Sequence, residues 1–196
     1  MDHGSVKTVF DFITEGKLQW QKMPDEFDKF VYPDFEFNVP SNPEQYRQRL
    51  IDRYPAEEAA IEQYFRDLKI ACTWNTISQL ADALPNVLLP FLKLLFRRKG
   101  RLATLTVEAY LNCQFNDPQL KALLASHWGL YGLPPSRAAF GIHAQAVSSY
   151  FRGGWYPVGG AKQIAHSIIP VIERFGGQVL SGKTVTEILI ENGCAK

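Results

Sequence analysis

Between Leu18 and Asn38 apolar and polar residues alternate in short runs: Leu18-Gln19-Trp20, Phe27 to Tyr32, and Phe35-Glu36-Phe37. The turn dipeptides Pro24-Asp25 and Pro33-Asp34 separate them, so this stretch predicts two or three antiparallel strands. From Asn42 the spacing becomes helical. Asn42-Pro43-Glu44-Gln45 places a capping residue, a proline at the first helical position and a glutamine at the third, predicting a short helix to about Arg53. A second helix opens at Pro55 and carries Ile61, Tyr64, Phe65, Leu68 and Cys72 on one buried face. Further helices are predicted near Thr106 to Cys113, from Pro118 after an Asp117 cap, and from Ser136 to Phe151. The last of these aligns Phe140, His143, Ala144, Val147, Tyr150 and Phe151 on one side.

In Arg152-Gly153-Gly154-Trp155-Tyr156-Pro157-Val158-Gly159-Gly160, paired glycines bracket an aromatic, extended piece. The first pair suits a helix C-cap, and the second lets the backbone approach a neighbour closely. A helix with Ile164, Ile168, Val171 and Ile172 on one side follows, and Pro170 should kink it by removing a backbone donor. Gly176-Gly177 ends it. Two strands are then predicted, Gln178 to Leu180 and Thr184 to Ile190, before the hairpin signal Asn192-Gly193. With only Cys194-Ala195-Lys196 beyond that turn, no return strand is predicted, and the chain reads as cut short.

The most apolar stretch, Leu84 to Lys99, is interrupted by Pro85 and Pro90 and ends in Arg97-Arg98-Lys99. It is too short to span a bilayer. Two readings fit it: a core helix whose basic end complements the helix dipole, or an interfacial helix on a membrane surface with its basic end at anionic head groups.

The composition agrees with a globular domain. The 196 residues are 46% hydrophobic, and a net charge of +1 without a long basic run argues against nucleic acid. The N-terminus lacks the pattern of a signal peptide, so a cytoplasmic or peripheral membrane setting is expected. Cys72, Cys113 and Cys194 are widely separated and read as reduced core thiols. Aromatic residues, 13% of the chain, cluster between Phe10 and Phe37 and between Trp128 and Tyr156, as a packed core or the wall of an apolar pocket would require.

Few motifs for chemistry survive scrutiny. Gly177 to Thr184 matches the P-loop pattern G-x-x-x-x-G-K-T, which would make a nucleotide-binding protein; yet a helix precedes it and strand formers follow, the reverse of a phosphate cradle. The four histidines never take metal-ligand spacing, so no metal site is expected. No G-x-S-x-G elbow and no G-x-G-x-x-G dinucleotide fingerprint occurs. Glu57-Glu58 is explained by the helix dipole alone. His143 reads as a hydrogen-bonded core residue or, if its face is a pocket wall, as that wall's polar handle. Taken alone, the residues give an α+β domain with an aromatic-walled apolar region and no visible catalytic group.

The order of segments adds a resemblance. Tyr131-Gly132-Leu133-Pro134-Pro135-Ser136, the His143 helix, Tyr150 to Gly160 and the helix with Ile168-Ile169-Pro170-Val171-Ile172 resemble the retinol saturase and carotenoid isomerase branch of the phytoene desaturase-like flavoproteins. Ile13-Thr14-Glu15-Gly16 and Tyr54 to Ala59 extend the likeness toward the front. The resemblance implies an FAD-dependent oxidoreductase, with NAD(P) as a further cofactor candidate, that saturates, desaturates or isomerises a long apolar polyene. It implies a helix-rich substrate domain over residues 1–158 with a small antiparallel sheet, then a helix and first return strands of a flavin amine oxidase-like FAD/NAD(P)-binding fold over 159–196, without the Rossmann βαβ unit. Gly159, Gly160 and Val185 match positions that approach FAD, while His143, Tyr150, Phe151, Trp155 and Tyr156 would line a polyene tunnel. The chemistry would belong to the flavin. A polyene partitions into lipid, which favours the interfacial reading of Leu84 to Lys99. A stand-alone lipophile-binding module without catalysis is the rival expectation.

Overall fold

The computed structural model describes residues 5–81 and 97–195. In chain order its elements begin α1 (Ser5–Thr14), β1 (Trp20–Lys22), β2 (Asp28–Val31), β3 (Glu36–Val39), α2 (Pro43–Arg53) and, after a 3₁₀ turn at Pro55–Glu57, α3 (Glu58–Ala81). There follow α4 (Arg97–Thr104), α5 (Val107–Gln114), α6 (Pro118–Ala125), a 3₁₀ turn at Ser126–Leu130, and α7 (Phe140–Tyr150). The series closes with β4 (Trp155–Pro157), α8 (Lys162–Arg174), β5 (Ile190–Glu191) and β6 (Cys194–Ala195). Helices dominate and every described sheet is antiparallel and two-stranded, so the α+β class holds. Apart from its basic end, which opens α4, the Leu84 to Lys99 stretch lies outside the described residues. No helix among the described residues is long and apolar enough to cross a membrane.

The chain divides into two compact units, one from Met23 to Gly154 and the other joining the chain up to Lys22 with Trp155 onward. In the first, β2 and β3 form a hairpin with Phe30 opposite Phe37. Asn42 caps α2, its side-chain oxygen accepting from the amides of Glu44 and Gln45. Thr106 and Asp117 cap α5 and α6 in the same way. These caps satisfy amides that the first helical turn leaves without partners. The core is built on α3, whose Ile61, Tyr64, Leu68 and Ala71 are buried, and is completed by Tyr110 and Val107 of α5, Leu120, Leu123 and Leu124 of α6, and Phe140, Ala144 and Val147 of α7. Ala71 is the fully buried residue at the end of the α3 face; Cys72 is only half-buried.

The last helix of this unit starts at Phe140, later than the predicted Ser136. Thr106 bridges to Ala139, the Val107 amide donates to the Ala138 carbonyl at 2.9 Å, and the Phe140 amide donates to the Leu105 carbonyl at 2.7 Å. This extended pairing with the α4–α5 connection occupies backbone groups that an earlier helix start would have used, so a tertiary contact overrides local helix propensity. Behind it α4 and α7 lie so close that a Cβ on Gly141 would come within 3.2 Å of Ala103's Cβ and carbonyl oxygen.

In the second unit α1 packs on α8, and Arg174 donates to the Glu15 carboxylate. β1 pairs with β4, Trp20 opposite Pro157. Pro170 lies inside α8, where it withholds one backbone donor, and Ile164, Ile168 and Val171 are half-buried with no fully buried residue in the helix. The strands predicted at Gln178 to Leu180 and Thr184 to Ile190 do not form, except that Ile190 and Glu191 pair with Cys194 and Ala195. Strand propensity expresses a fit to a half-buried pleated surface. Val179, Leu180, Val185 and Ile188 here are 51–76% exposed and have no such surface. The Asn192-Gly193 turn, both residues at positive φ, is therefore answered by a two-residue return strand, contrary to the expectation of none. Of the three thiols, Cys113 and Cys194 are exposed, which corrects their assignment to the core.

Candidate functional site

A polar arrangement is threaded through the first unit's core. His143 sits one turn into α7 and is fully buried. Its Nε2 lies 2.9 Å from the Tyr64 hydroxyl of α3 and its Nδ1 lies 3.2 Å from the Tyr131 hydroxyl. Burial, helped by the nearby His127, lowers the imidazole pKa to about 3, so the ring is neutral at physiological pH. The Tyr64 ring is packed among Phe65, Phe115 and Phe140, and burial pushes its hydroxyl pKa well upward. The Tyr131 hydroxyl is pushed up to about 12 by the same cause. Tyr110 stacks on Phe140 at 3.8 Å and donates to Asp67, which also accepts from Gln63. Both readings of His143 thus begin from the same fact: its two ring nitrogens are occupied by tyrosines.

Tyr150 and Phe151, also placed on the predicted tunnel wall, are half-buried in this unit. Tyr150 stacks on Phe27 at 5.3 Å and Phe151 on Phe65 at 6.0 Å. His127 is buried between Phe30 and Tyr150, with Nδ1 lacking a hydrogen-bond partner and Nε2 4.0 Å from Asp28. Burial lowers the His127 pKa despite the Asp28 charge.

The other predicted site residues fall in the second unit. Trp155 and Tyr156 pair with Lys22 and Gln21 across β1 and β4. Gly159 and Gly160 follow with φ of 85° and 92°, conformations that L side chains rarely adopt. A Cβ on Gly160 would meet nothing within 4 Å, so its backbone is open to a close approach. Val185 is 76% exposed in a stretch with no ladder. The Gly177 to Thr184 motif has neither a strand before it nor a helix after it, which removes the phosphate cradle a P-loop needs. No cluster of residues suited to a metal ion occurs among the described residues.

A further feature is not visible in the sequence. An open cleft of about 490 Å³ is lined by Arg53, Tyr54, Pro55, Ala56, Glu57, Asn116 and Asp117. At its floor the Glu57 carboxylate accepts from the amides of Asn116 at 2.7 Å and Asp117 at 2.8 Å, just ahead of α6. A charged acceptor on these amides joins the α6 entrance to the start of α3. The only local signal was an acidic residue at a helix start, which the dipole already explained.

Comparison with known proteins places this geometry in context. Human (Homo sapiens) all-trans-retinol 13,14-reductase is 33% identical over 205 residues, covering 98% of this chain and 33% of that protein. An inactive all-trans-retinol 13,14-reductase of Danio rerio is 24% identical over 206 residues, 96% of this chain and 32% of its own. A lycopene-forming phytoene desaturase of Paracoccus sp. is 32% identical over 106 residues, half of this chain and 21% of its own. The chain spans about a third of the length of the curated retinol reductases it matches. No family model and no solved structure matches.

Proposed function

Because the chain belongs to the retinol saturase and phytoene desaturase-like family, we propose that it works as part of an FAD-dependent oxidoreductase acting on a long apolar polyene, and that it supplies substrate-binding surface. The observation that carries this reading is the likeness to retinol reductases along nearly the whole chain. In this reading residues 1–158 form the substrate-binding part, and 159–196 lead toward the flavin-binding part. Tyr150, Phe151, Trp155 and Tyr156 offer the flat apolar faces that a conjugated chain packs against. His143 acts through its two tyrosines and not as a direct ligand, since both its nitrogens are engaged.

Bound FAD would supply the redox chemistry, with NAD(P) as a candidate reductant. The residues present fit contact with such a group at Gly159 and Gly160, whose positive φ and open Gly160 Cβ position allow a cofactor to lie against the backbone. Val185, with its main chain outside any ladder, is a candidate partner for a base edge. Holding the group also needs a dinucleotide fingerprint, which this sequence does not contain. Leu84 to Lys99 is the candidate membrane contact, through which a lipid-dissolved substrate would be collected. Liposome co-sedimentation is expected to fall in a Leu92→Glu, Phe96→Glu double variant; equal sedimentation of variant and wild type would remove the idea.

The test is expression of the complete open reading frame that contains this chain. A protein that purifies yellow, with a flavin spectrum lost on denaturation, is the expected result. A colourless protein that retains polyene would instead favour the carrier reading, which the similarity to an inactive retinol reductase keeps in view.

A further inference from the structure

The Tyr64–His143–Tyr131 chain has a direction, and the burial of its members sets it. Tyr64 is 1% exposed and its hydroxyl meets Nε2 of His143. Were Nε2 protonated, the Tyr64 proton would be left in the core without an acceptor, the situation native interiors avoid. Tyr64 therefore donates to Nε2. A neutral imidazole carries its single proton on the other nitrogen, so Nδ1–H donates to the Tyr131 oxygen. With that lone pair occupied by His143, the Tyr131 proton has no acceptor among the described residues. Tyr131 is half-buried and directly follows the 3₁₀ turn at Ser126–Leu130; its neighbours Trp128, Leu130 and Leu133 are 49%, 52% and 43% exposed. A polar hydrogen is thus presented from an apolar stretch of chain.

We propose that Tyr131 anchors the one polar acceptor of an otherwise apolar ligand, a hydroxyl or carbonyl oxygen at the end of a polyene, with His143 and Tyr64 as positioning residues behind it. The inference rests on the polyene reading above and adds which end of the molecule is recognised. Apolar burial binds a polyene in either sense along its length, whereas one fixed donor selects an orientation. Tyr131 remains protonated, and so a donor, throughout the physiological range.

Two measurements on the protein from the complete reading frame that contains this chain test this. Nitrogen NMR of the His143 imidazole is expected to show the Nδ1–H tautomer, and an Nε2–H tautomer would overturn the directed chain whatever binds. Quenching of tryptophan fluorescence would compare all-trans-retinol with its deoxy hydrocarbon analogue. Tyr131→Phe is expected to weaken retinol binding roughly 3- to 10-fold, the worth of one hydrogen bond, and to leave the hydrocarbon unaffected. Tyr64→Phe, which releases Nε2, should mix the tautomers and weaken retinol binding by less. Unchanged retinol affinity in Tyr131→Phe, or equal weakening for both ligands, would overturn the anchor. Failure of the wild type to bind either ligand would count against the polyene reading and the anchor together, while the tautomer result would stand by itself.

Discussion

The two units meet the demands of burial in different ways. From Met23 to Gly154 the described helices share one core that holds several matched polar groups, Tyr64 and Tyr131 with His143, Tyr110 and Gln63 with Asp67, and Glu57 with two amides, beside the unpartnered Tyr46 hydroxyl, Arg47 Nε and His127 Nδ1. In the other unit α8 has no fully buried residue, Phe12 and Phe175 are 84% and 80% exposed, and the chain from Gln178 to Leu189 makes no ladder. Stability should therefore concentrate in the first unit, while the second offers apolar surface and open backbone. Such a surface suits contact with other groups, a cofactor among them, as the proposed flavin role of Gly159, Gly160 and Val185 requires.

The contrast can be broken most sharply by truncating one aromatic in each unit. Phe140→Ala, at a fully buried site stacked on Tyr110, is expected to cost about 3–5 kcal/mol. Phe175→Ala should fall within about 0.5 kcal/mol of wild type. Urea unfolding measures both, and similar losses would erase the distinction. A smaller effect, about 1.5–3 kcal/mol, is expected for Glu57→Ala, which strips a charged acceptor from the Asn116 and Asp117 amides. Below that comes Asn42→Ala, a lost helix cap worth about 1 kcal/mol by the same measurement.

Acid sharpens the comparison from another side. The His143 pKa is about 3 in the folded protein against 6.5 ordinarily, so the unfolded chain takes up the proton first as pH falls. This contribution is fully present above pH 6.5, declines below it, and goes on declining until the folded pKa is passed. His127, lowered by its own burial, acts in the same direction. Unfolding midpoints followed from neutral to acidic pH should drop, and His143→Gln should flatten part of that slope. A slope unchanged by the substitution would mean that His143 is not the buried neutral base described.

What could be read from the sequence was local. Asn42 and Asp117 cap helices within their own few residues, and both caps were visible in their tetrapeptides. The buried face of α7 was visible in its period. Its chemistry was not, because the partners of His143 include Tyr64, 79 residues away, and a single sequence does not display that pairing. Glu57 was hidden for the same reason, its acceptor role depending on amides 59 and 60 residues on. The unformed strands after Gly177 err in the opposite direction: Val179, Val185 and Ile188 have strand-forming side chains, but a strand also needs a ladder partner and a surface to cover. The family resemblance reached further than periodicity, since it rests on the order of many segments rather than on the geometry of any one.

The most direct measurement incubates the protein from the complete reading frame with all-trans-retinol and a reductant, then follows the polyene by absorbance and chromatography. For the proposed polyene oxidoreductase the expected result is a flavin-dependent change in the conjugated system, seen as a product with shifted absorbance. Retinol bound and recovered unchanged, with flavin present and reduced, would contradict it.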